Sequence, residues 1–185
     1  MKFSQQNYSC LQLIKLDLIR FHELKNPDRR RHVNVFLLLR LAFSPRMAPV
    51  LLFRLAHFCF ICKLNSIAKL FTYLNQLLFG IEIASACHIG PGLFLPHTYG
   101  TVIGAASIGA NATIFQGSTL GSKHLVFDFD PRHRPKLGSG VSIGAGSKVL
   151  GDIYIGDNVT IGANAVVLSS LPANCVAVGM PAKPV

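Results

Sequence analysis

A six-residue spacing of aliphatic side chains runs through the second half of the chain and constrains its fold more than any other feature. Asn or Gly recurs three positions after several of these residues, as at Asn111, Gly146 and Asn164, and both types tolerate a positive φ angle. Because six aliphatic residues in succession at six-residue intervals are improbable by chance, we interpret the pattern as a true structural repeat. The longest run is Leu137, Ile143, Val149, Ile155, Ile161 and Val167.

A repeat of short strand, left-handed corner and short strand winds a chain into a solenoid. One aliphatic side chain from each hexad then points to the axis, and three hexads complete one triangular coil. The same six-residue step occurs upstream in two further runs: Val102, Ile108, Ile114, Leu120; and Ile83, Ile89, Leu95. The sequence therefore predicts a parallel β-helix over residues 81–185, and the spacing alone leaves its handedness open.

The first 80 residues have a different periodicity. Apolar residues recur at helical intervals in segments 11–21, 33–43, 47–64 and 66–80. Ser66 is a candidate N-cap, and Gly80 a candidate stop for the last of these helices. We therefore predict a mainly β fold in which an α-helical, basic N-terminal region (1–80) precedes the β-helix domain (81–185).

The positive charge is concentrated in the predicted helical region. Residues 1–80 carry twelve Lys or Arg against three acids, whereas residues 81–185 carry six against five. No nucleic-acid-binding motif accompanies these basic residues, so we expect no nucleic-acid partner. Because they alternate with apolar residues, they indicate either the solvated faces of ordinary helices or a peripheral contact with an anionic membrane surface.

Two further features bear on location. No apolar run approaches the roughly 20 residues that span a bilayer, and residues 1–10 lack the apolar core of a signal peptide. The five cysteines are odd in number, and only Cys59 and Cys62 have a metal-like or redox-like spacing. We interpret that pair as buried structural thiols, and place the protein in the cytoplasm, at the inner face of the membrane if the helices bind lipid.

The repeat breaks at two places, and both breaks carry histidine. Between Leu95 and Val102 the step is seven residues and includes His97. A loop at 121–136 interrupts the repeat a second time and carries His124 and His133. A solenoid wall needs no imidazole, so these histidines are candidates for proton transfer. The alternative is a solvent-exposed loop histidine without a chemical role.

Three segments carry a resemblance to a known family. The segments "GIEIASACHIGPGLFLPHTYGTVIG", "RHRPKL" and "VGMPAKPV" resemble the serine acetyltransferases and their sugar O-acetyltransferase relatives, within the hexapeptide-repeat acyltransferases. The resemblance covers about residues 81–185. It implies a left-handed coil, a homotrimer with active sites between neighbouring chains, and direct transfer of acetyl from acetyl-CoA to a hydroxyl without a metal.

The resemblance also assigns roles to residues around the two breaks. His97 matches the general base of the family, and Glu82 matches the carboxylate that orients it. His133 matches a second catalytic histidine, and Arg132 or Arg134 an adjoining arginine that binds the acceptor. The loop match is loose, because this chain has Arg-His-Arg-Pro where the serine enzymes have Arg-His-Pro.

A third match lies near residue 185. There the family places a segment along the CoA arm, and this assigns Gly179, Ala182 and Lys183 to acetyl-CoA binding. Glycine permits close backbone approach, and Lys183 is a candidate partner of a CoA phosphate or an ordinary surface lysine.

One departure from the family bears on the acceptor. Serine acetyltransferases commonly have Asp before the catalytic histidine, where it helps to bind the substrate amino group, and this chain has Pro96. The helical region is also shorter than in many serine enzymes. We therefore favour a sugar hydroxyl in surface-polysaccharide biosynthesis as the acceptor, with serine O-acetylation in cysteine biosynthesis as the alternative.

Two other classes of function compete with the acetyltransferase. A β-helix carbonic anhydrase would need three zinc ligands from among His88, His97, His124 and His133. A non-catalytic trimeric scaffold would need only the smooth wall and the basic helices.

Overall fold

Three α-helices precede the repeat in the computed structural model, which describes residues 8–27, 36, 40–41, 44–125 and 128–185. They are α1 (Cys10–Lys25), α2 (Ala48–Ile61) and α3 (Asn65–Phe79). The helix predicted over 33–43 lies mostly outside the described residues. No helix in the described ranges is both long and apolar enough to cross a membrane.

The ends of helix α3 test two sequence predictions. Gly80 adopts a left-handed conformation and ends the helix, as predicted. The prediction that Ser66 is the N-cap is wrong, because α3 begins at Asn65 with Leu64 in the capping position. The chain leaves α2 through a tight turn at Lys63, whose φ is 61°, and this turn sets an earlier start for α3.

The remainder of the chain is a left-handed parallel β-helix, as the resemblance implied. Between Thr101 and Val167 the chain visits three sheets in rotation, and in the described part of the coil two of these sheets contain five strands and one contains four. The strands are β1 (Ile81–Ile83), β2 (His88–Ile89), β3 (Thr101–Ile103), β4 (Ser107–Ile108), β5 (Thr113–Ile114), β6 (Thr119–Gly121), β7 (Lys136–Leu137), β8 (Ser142–Ile143), β9 (Lys148–Leu150), β10 (Tyr154–Ile155), β11 (Thr160–Ile161), β12 (Val166–Val167), β13 (Val176–Gly179) and β14 (Ala182–Pro184). Their orders in the three sheets are β1-β3-β6-β9-β12, β10-β7-β4-β2 and β14-β13-β11-β8-β5.

The predicted aliphatic positions form the core, with one correction. Ile103, rather than Val102, points to the axis: Ile103 is fully buried, whereas Val102 is 36% exposed. The step after Leu95 is therefore eight residues, followed by five to Ile108, because segment 96–100 forms a loop that ends at Gly100 with φ 72°. Elsewhere the predicted residues are buried and stack coil on coil, as Leu120 does on Val149.

The corners between strands also follow the prediction. Asn111, Asn158 and Asn164 have φ between 55° and 59°, and Gly140 and Gly146 have φ near 70°. These are the positions that the Asn and Gly pattern marked as left-handed corners.

A buried ion pair joins the helices to the first coil. The guanidinium of Arg54 in α2 donates to the carboxylate of Asp17 in α1, with Nε–Oδ2 at 2.8 Å, and both side chains are almost completely buried. Asp17 also accepts hydrogen bonds from the backbone amides of Gly92 and Leu93, at 2.7 and 2.9 Å. Arg54 in turn donates to the carbonyl oxygen of Ile89 at 2.6 Å.

A second arginine makes the same connection from α1. Arg20 donates to the carbonyl oxygens of Gly92 and Ala112 and to Oγ1 of Thr113. Arg54 is buried and Arg20 is half-buried against the first coil, so neither guanidinium is an ordinary solvated charge of a helix face. Their charge positions the helices on the open end of the coil.

The cysteine prediction is half correct. Cys59 is buried in α2, but Cys62 follows that helix and is exposed. All five cysteines are free thiols.

Candidate active site

A cleft of about 1000 Å³ opens where the helices meet the first coil. One wall is the turn before α2, with Pro45 and Arg46, and the opposite wall is the end of α3. The first repeat break supplies the remaining side. The lining residues are Pro45, Arg46, Gln76, Leu77, Leu78, Phe79, Gly80, Leu95, Pro96, His97, Thr98, Tyr99, Gly100 and Gln116.

His97 lies in the wall of this cleft, on the loop formed by the first break. Leu95 anchors the loop in the core, and Oγ1 of Thr98 donates to the carbonyl oxygen of Phe79 at 2.8 Å. The amide of Gly100 donates to the carbonyl oxygen of Gly80 at 2.9 Å. These contacts fix the loop on the end of α3, while the imidazole is exposed and makes no hydrogen bond to any described residue. A base in this state is available to an incoming hydroxyl.

Glu82, the predicted carboxylate partner, lies on the outer face of β1. Ile81 and Ile83 on either side point to the axis, so the strand alternation turns Glu82 outward. Glu82 pairs in register with Val102 and does not line the cleft. Within the described residues, no hydrogen bond joins it to His97.

The second break places its predicted residues away from the cleft. It occupies 122–135, of which residues 126 and 127 are not described, and contains one 3₁₀ turn at Pro131–His133. Arg132 pairs with Asp130 at 2.7 Å, and Nε2 of His133 lies 3.7 Å from the same carboxylate. Hydrogen bonding from the Arg132 side chain lowers the pKa of Asp130 to about 2.

Arg134 has a different environment from its neighbours in this loop. Its Nη1 donates to the carbonyl oxygen of Gly104 at 2.9 Å, and its guanidinium lies 4.4 Å from the centre of the Phe129 ring. Arg134 is thus held against the coil. None of Arg132, His133 and Arg134 lines the cleft of its own chain.

The predicted acetyl-CoA residues form a hairpin at the other end of the coil. Strand β14 pairs antiparallel with β13, with Gly179 opposite Ala182, and Gly179 has φ 96°. Ala182 is buried and Lys183 is exposed. In the sheet that contains β13, four coil steps lead from the bridge at Phe94 in the first coil to Val176, which corresponds to about 19 Å at the usual spacing of strands.

The four histidines of the carbonic anhydrase alternative are dispersed. His88 contacts the ring of His57 edge-on at 5.2 Å, His97 lies in the cleft, and His124 and His133 lie in the second break. In the described part of the chain, no group of three His, Cys, Asp or Glu side chains is placed to hold a metal ion. This arrangement does not support a three-histidine zinc site.

Sequence reasoning missed two residues that line the cleft, Arg46 and Gln116. Arg46 precedes α2 in a region without the repeat, so no periodic register located it. Gln116 lies two residues after Ile114 in a regular part of the coil, where nothing in the sequence marks it. Only the structure shows that its Oε1 is buried and has no donor among the described residues.

Comparisons with known proteins agree with this fold. A family model described as bacterial transferase hexapeptide (six repeats) matches residues 134–169. The Helicobacter pylori serine acetyltransferase is 42% identical over 86% of this chain and 89% of its own length.

Solved structures extend the similarity to the helices. The Neisseria gonorrhoeae serine acetyltransferase aligns with a TM-score of 0.80 at 31% identity, over 95% of this chain and 65% of its own. A structure of the same enzyme contains serine. Another serine acetyltransferase, solved with CoA, has a TM-score of 0.80 at 28% identity over 98% of this chain and 72% of its own. This chain therefore spans about two thirds of the Neisseria enzyme's length.

These similarities overturn the preference for a sugar acceptor in polysaccharide biosynthesis. That preference relied on Pro96 and on the short helical region. The Helicobacter enzyme is matched over 89% of its length, so a compact helical region is compatible with serine acetyltransferases. Pro96 removes one charge beside His97 while the surrounding fold stays that of the serine enzymes.

Proposed function

The chain belongs to the serine acetyltransferase family of hexapeptide-repeat acyltransferases, and from that premise we propose that it transfers acetyl from acetyl-CoA to the hydroxyl of L-serine. The predicted class, an acetyl-CoA-dependent O-acetyltransferase, is confirmed. The observation that carries the serine acceptor is the similarity to the Helicobacter serine acetyltransferase across almost its whole length.

His97 is the proposed general base. Its imidazole, which has no hydrogen-bond partner among the described residues, removes the proton from the serine hydroxyl as that oxygen attacks the thioester carbonyl. The new C–O bond forms, the C–S bond breaks, and the proton passes from the imidazolium to the departing CoA sulfur. Glu82 is the proposed carboxylate partner of this imidazole, on the strength of the family resemblance of segment 80–104.

The hairpin of β13 and β14 is the proposed site for acetyl-CoA. Gly179 and Ala182 provide a narrow backbone surface, and Lys183 provides an exposed cation for a CoA phosphate. The distance of about 19 Å along the coil between this hairpin and the first coil suits an extended ligand arm along the wall.

We propose a homotrimer in which the second break of one chain completes the cleft of its neighbour. Arg132 and His133 do not line the cleft of their own chain, although they match acceptor-binding and catalytic residues of the family. A neighbouring protomer supplies them in this arrangement. Arg134, held on Gly104, supports the base of the loop.

A cytoplasmic location is proposed because all five cysteines are free thiols, which a reducing compartment maintains. Membrane contact by the helical region stays a prediction.

A thiol-release assay tests the proposed reaction. The purified protein is given acetyl-CoA with L-serine or with a panel of nucleotide sugars, and free CoA is measured. We expect turnover with L-serine, and a decrease in kcat of roughly 10²- to 10⁴-fold in His97→Ala. His88→Ala, which changes an exposed histidine on β2 outside both the cleft and the second break, is the matched control and keeps wild-type turnover. Turnover confined to sugars contradicts the acceptor, and an active His97→Ala enzyme contradicts the assigned base.

A further inference from the structure

We propose that Arg46 binds the carboxylate of the serine acceptor and that Gln116 accepts a hydrogen bond from its ammonium group. Together these two residues recognise the acceptor beside Pro96, which offers no charge. This inference rests on the proposed function and names the residues that select the acceptor.

The backbone holds Arg46 firmly at the edge of the cleft. The amides of Met47 and Ala48 both donate to the carbonyl oxygen of Ser44 at 2.9 Å, which closes a tight turn before α2. Met47, the next residue, is completely buried and anchors that turn in the core. The Arg46 side chain is exposed, lines the cleft together with His97, and has no ion pair or hydrogen bond to any described residue.

The charges lining the cleft favour an anion. Among the described residues that line the cleft, Arg46 is the one that carries a fixed charge, and none of them is a carboxylate. A guanidinium presents a planar pair of N–H donors that matches a carboxylate with two parallel hydrogen bonds. A small hydroxy acid can therefore be bound by its carboxylate while its hydroxyl points to His97.

The other described arginines near the coil are already engaged. Arg132 is paired with Asp130, and Arg134 donates to the carbonyl oxygen of Gly104. Arg20 and Arg54 are held in the joint between the helices and the first coil. Among the described arginines, Arg46 is thus the one that a single chain presents unpaired at this cleft, beside the Arg132 that the proposed trimer brings from a neighbouring protomer.

Gln116 supplies what the ammonium group needs. Its amide Oε1 is buried and lacks a donor in the described part of the chain, although Gln116 lines the cleft. A buried acceptor without a donor destabilises the free protein, and an ammonium group provides that donor. An amide oxygen can therefore perform the role for which serine enzymes commonly use the Asp that is Pro96 here.

The test compares acceptors that differ only in the carboxylate. Steady-state kinetics are measured with L-serine and with L-serinamide, which lacks the negative charge, for the wild type, Arg46→Met and Arg46→Lys. We expect Arg46→Met to raise the KM for L-serine roughly 10- to 100-fold, with kcat and the KM for acetyl-CoA changed little. The wild type prefers L-serine to L-serinamide, and Arg46→Met loses that preference. Arg46→Lys restores part of it. Lys69→Met, an exposed charge on α3 outside the cleft, is the control and keeps both constants.

The outcomes separate this inference from the proposed function. A merely structural role for Arg46 would weaken turnover of both acceptors equally, and that result, or an unchanged KM for L-serine, overturns the inference alone. A wild-type protein without L-serine turnover overturns the proposed function and this inference together.

A second acceptor tests Gln116 separately. We expect Gln116→Leu to raise the KM for L-serine but to leave unchanged the weak turnover of 3-hydroxypropionate, which lacks the ammonium group. An equal loss with both acceptors would remove Gln116 from the inference.

Discussion

Cys87 illustrates how the coil interior changes the chemistry of a single side chain. The residue is completely buried in the first coil, and burial raises the pKa of its thiol to about 12, against the weaker opposing effect of Arg54 and Arg134. The thiol is therefore neutral at any pH at which the enzyme would work. Cys87 behaves as a small apolar residue of the core, whereas the exposed Cys62 keeps an accessible sulfur.

The raised pKa of Cys87 predicts a loss of stability in alkali. In the unfolded chain the thiol loses its proton near the ordinary cysteine pKa of 9.0, whereas in the folded protein it holds the proton until about 12. Between these values the unfolded state binds fewer protons, so the free energy of unfolding falls as pH rises. We expect urea denaturation of Cys87→Ala to show a shallower decline from pH 9 to 11 than the wild type. Equal slopes in the two proteins would contradict the prediction, and Cys62→Ala is the control with the wild-type slope.

The sequence pointed to some of the residues that line the cleft and not to others, for physical reasons. His97 was found because it interrupts a periodic pattern, and an interruption is visible in one dimension. Arg46 and Gln116 reach the cleft only through the packing of α2 and the coil, which depends on contacts between residues far apart in sequence. Glu82 was assigned by its family match rather than by periodicity, and its role as the partner of His97 stays a proposal, since the strand alternation turns its side chain to the outer face of β1.

At the level of elements, a buried ion pair contributes to the joint between helices and coil, beside the hydrogen bonds of Arg20. Asp17 and Arg54 are 1% exposed or less, and each also bonds the backbone of the first coil. The helical periodicity predicted α1 and α2, but it did not predict this pair, since the partners lie 37 residues apart. The repeat register, in contrast, is local to each hexad, so the sequence predicted it everywhere except at the loop before Ile103.

Removal of Arg54 should destabilise the protein strongly. Arg54→Met leaves the buried carboxylate of Asp17 without its countercharge, a change that typically costs about 3–5 kcal/mol. Urea denaturation measures the loss as a lower midpoint. We expect Asp17→Asn combined with Arg54→Met to recover part of it, because the amide is neutral and its oxygen still accepts from Gly92 and Leu93.

The control for this pair is Lys15→Met, which changes an exposed cation on α1 and should alter the free energy of unfolding by no more than about 0.5 kcal/mol. A double variant no more stable than Arg54→Met would show that the loss comes from packing rather than from the unpaired charge.

At the scale of the whole molecule, the three groups of residues proposed for the reaction lie apart from one another in a single chain. The cleft with His97 lies at the first coil, the second break with Arg132 and His133 lies outside it, and the hairpin of β13 and β14 lies about 19 Å further along the coil. A repeat sequence predicts the coil well, because each coil contacts only its neighbours. It does not define the surface between chains, where side chains from two protomers would meet in the proposed trimer.

Mixed trimers test whether each site draws on two chains. His97→Ala and His133→Ala are both expected to have low activity alone. If His97 of one protomer works with His133 of the next, random co-assembly after joint unfolding and refolding restores a complete pair in about a quarter of the sites. The refolded mixture should then show about a quarter of the activity of wild-type trimers refolded in the same way, measured as thiol release and normalised to protomer.

Mixing the two folded variants without refolding is the control and should stay at the residual level. A refolded mixture that also stays at that level would place both histidines in one chain's site, and light scattering that gives a monomer would contradict the trimer itself.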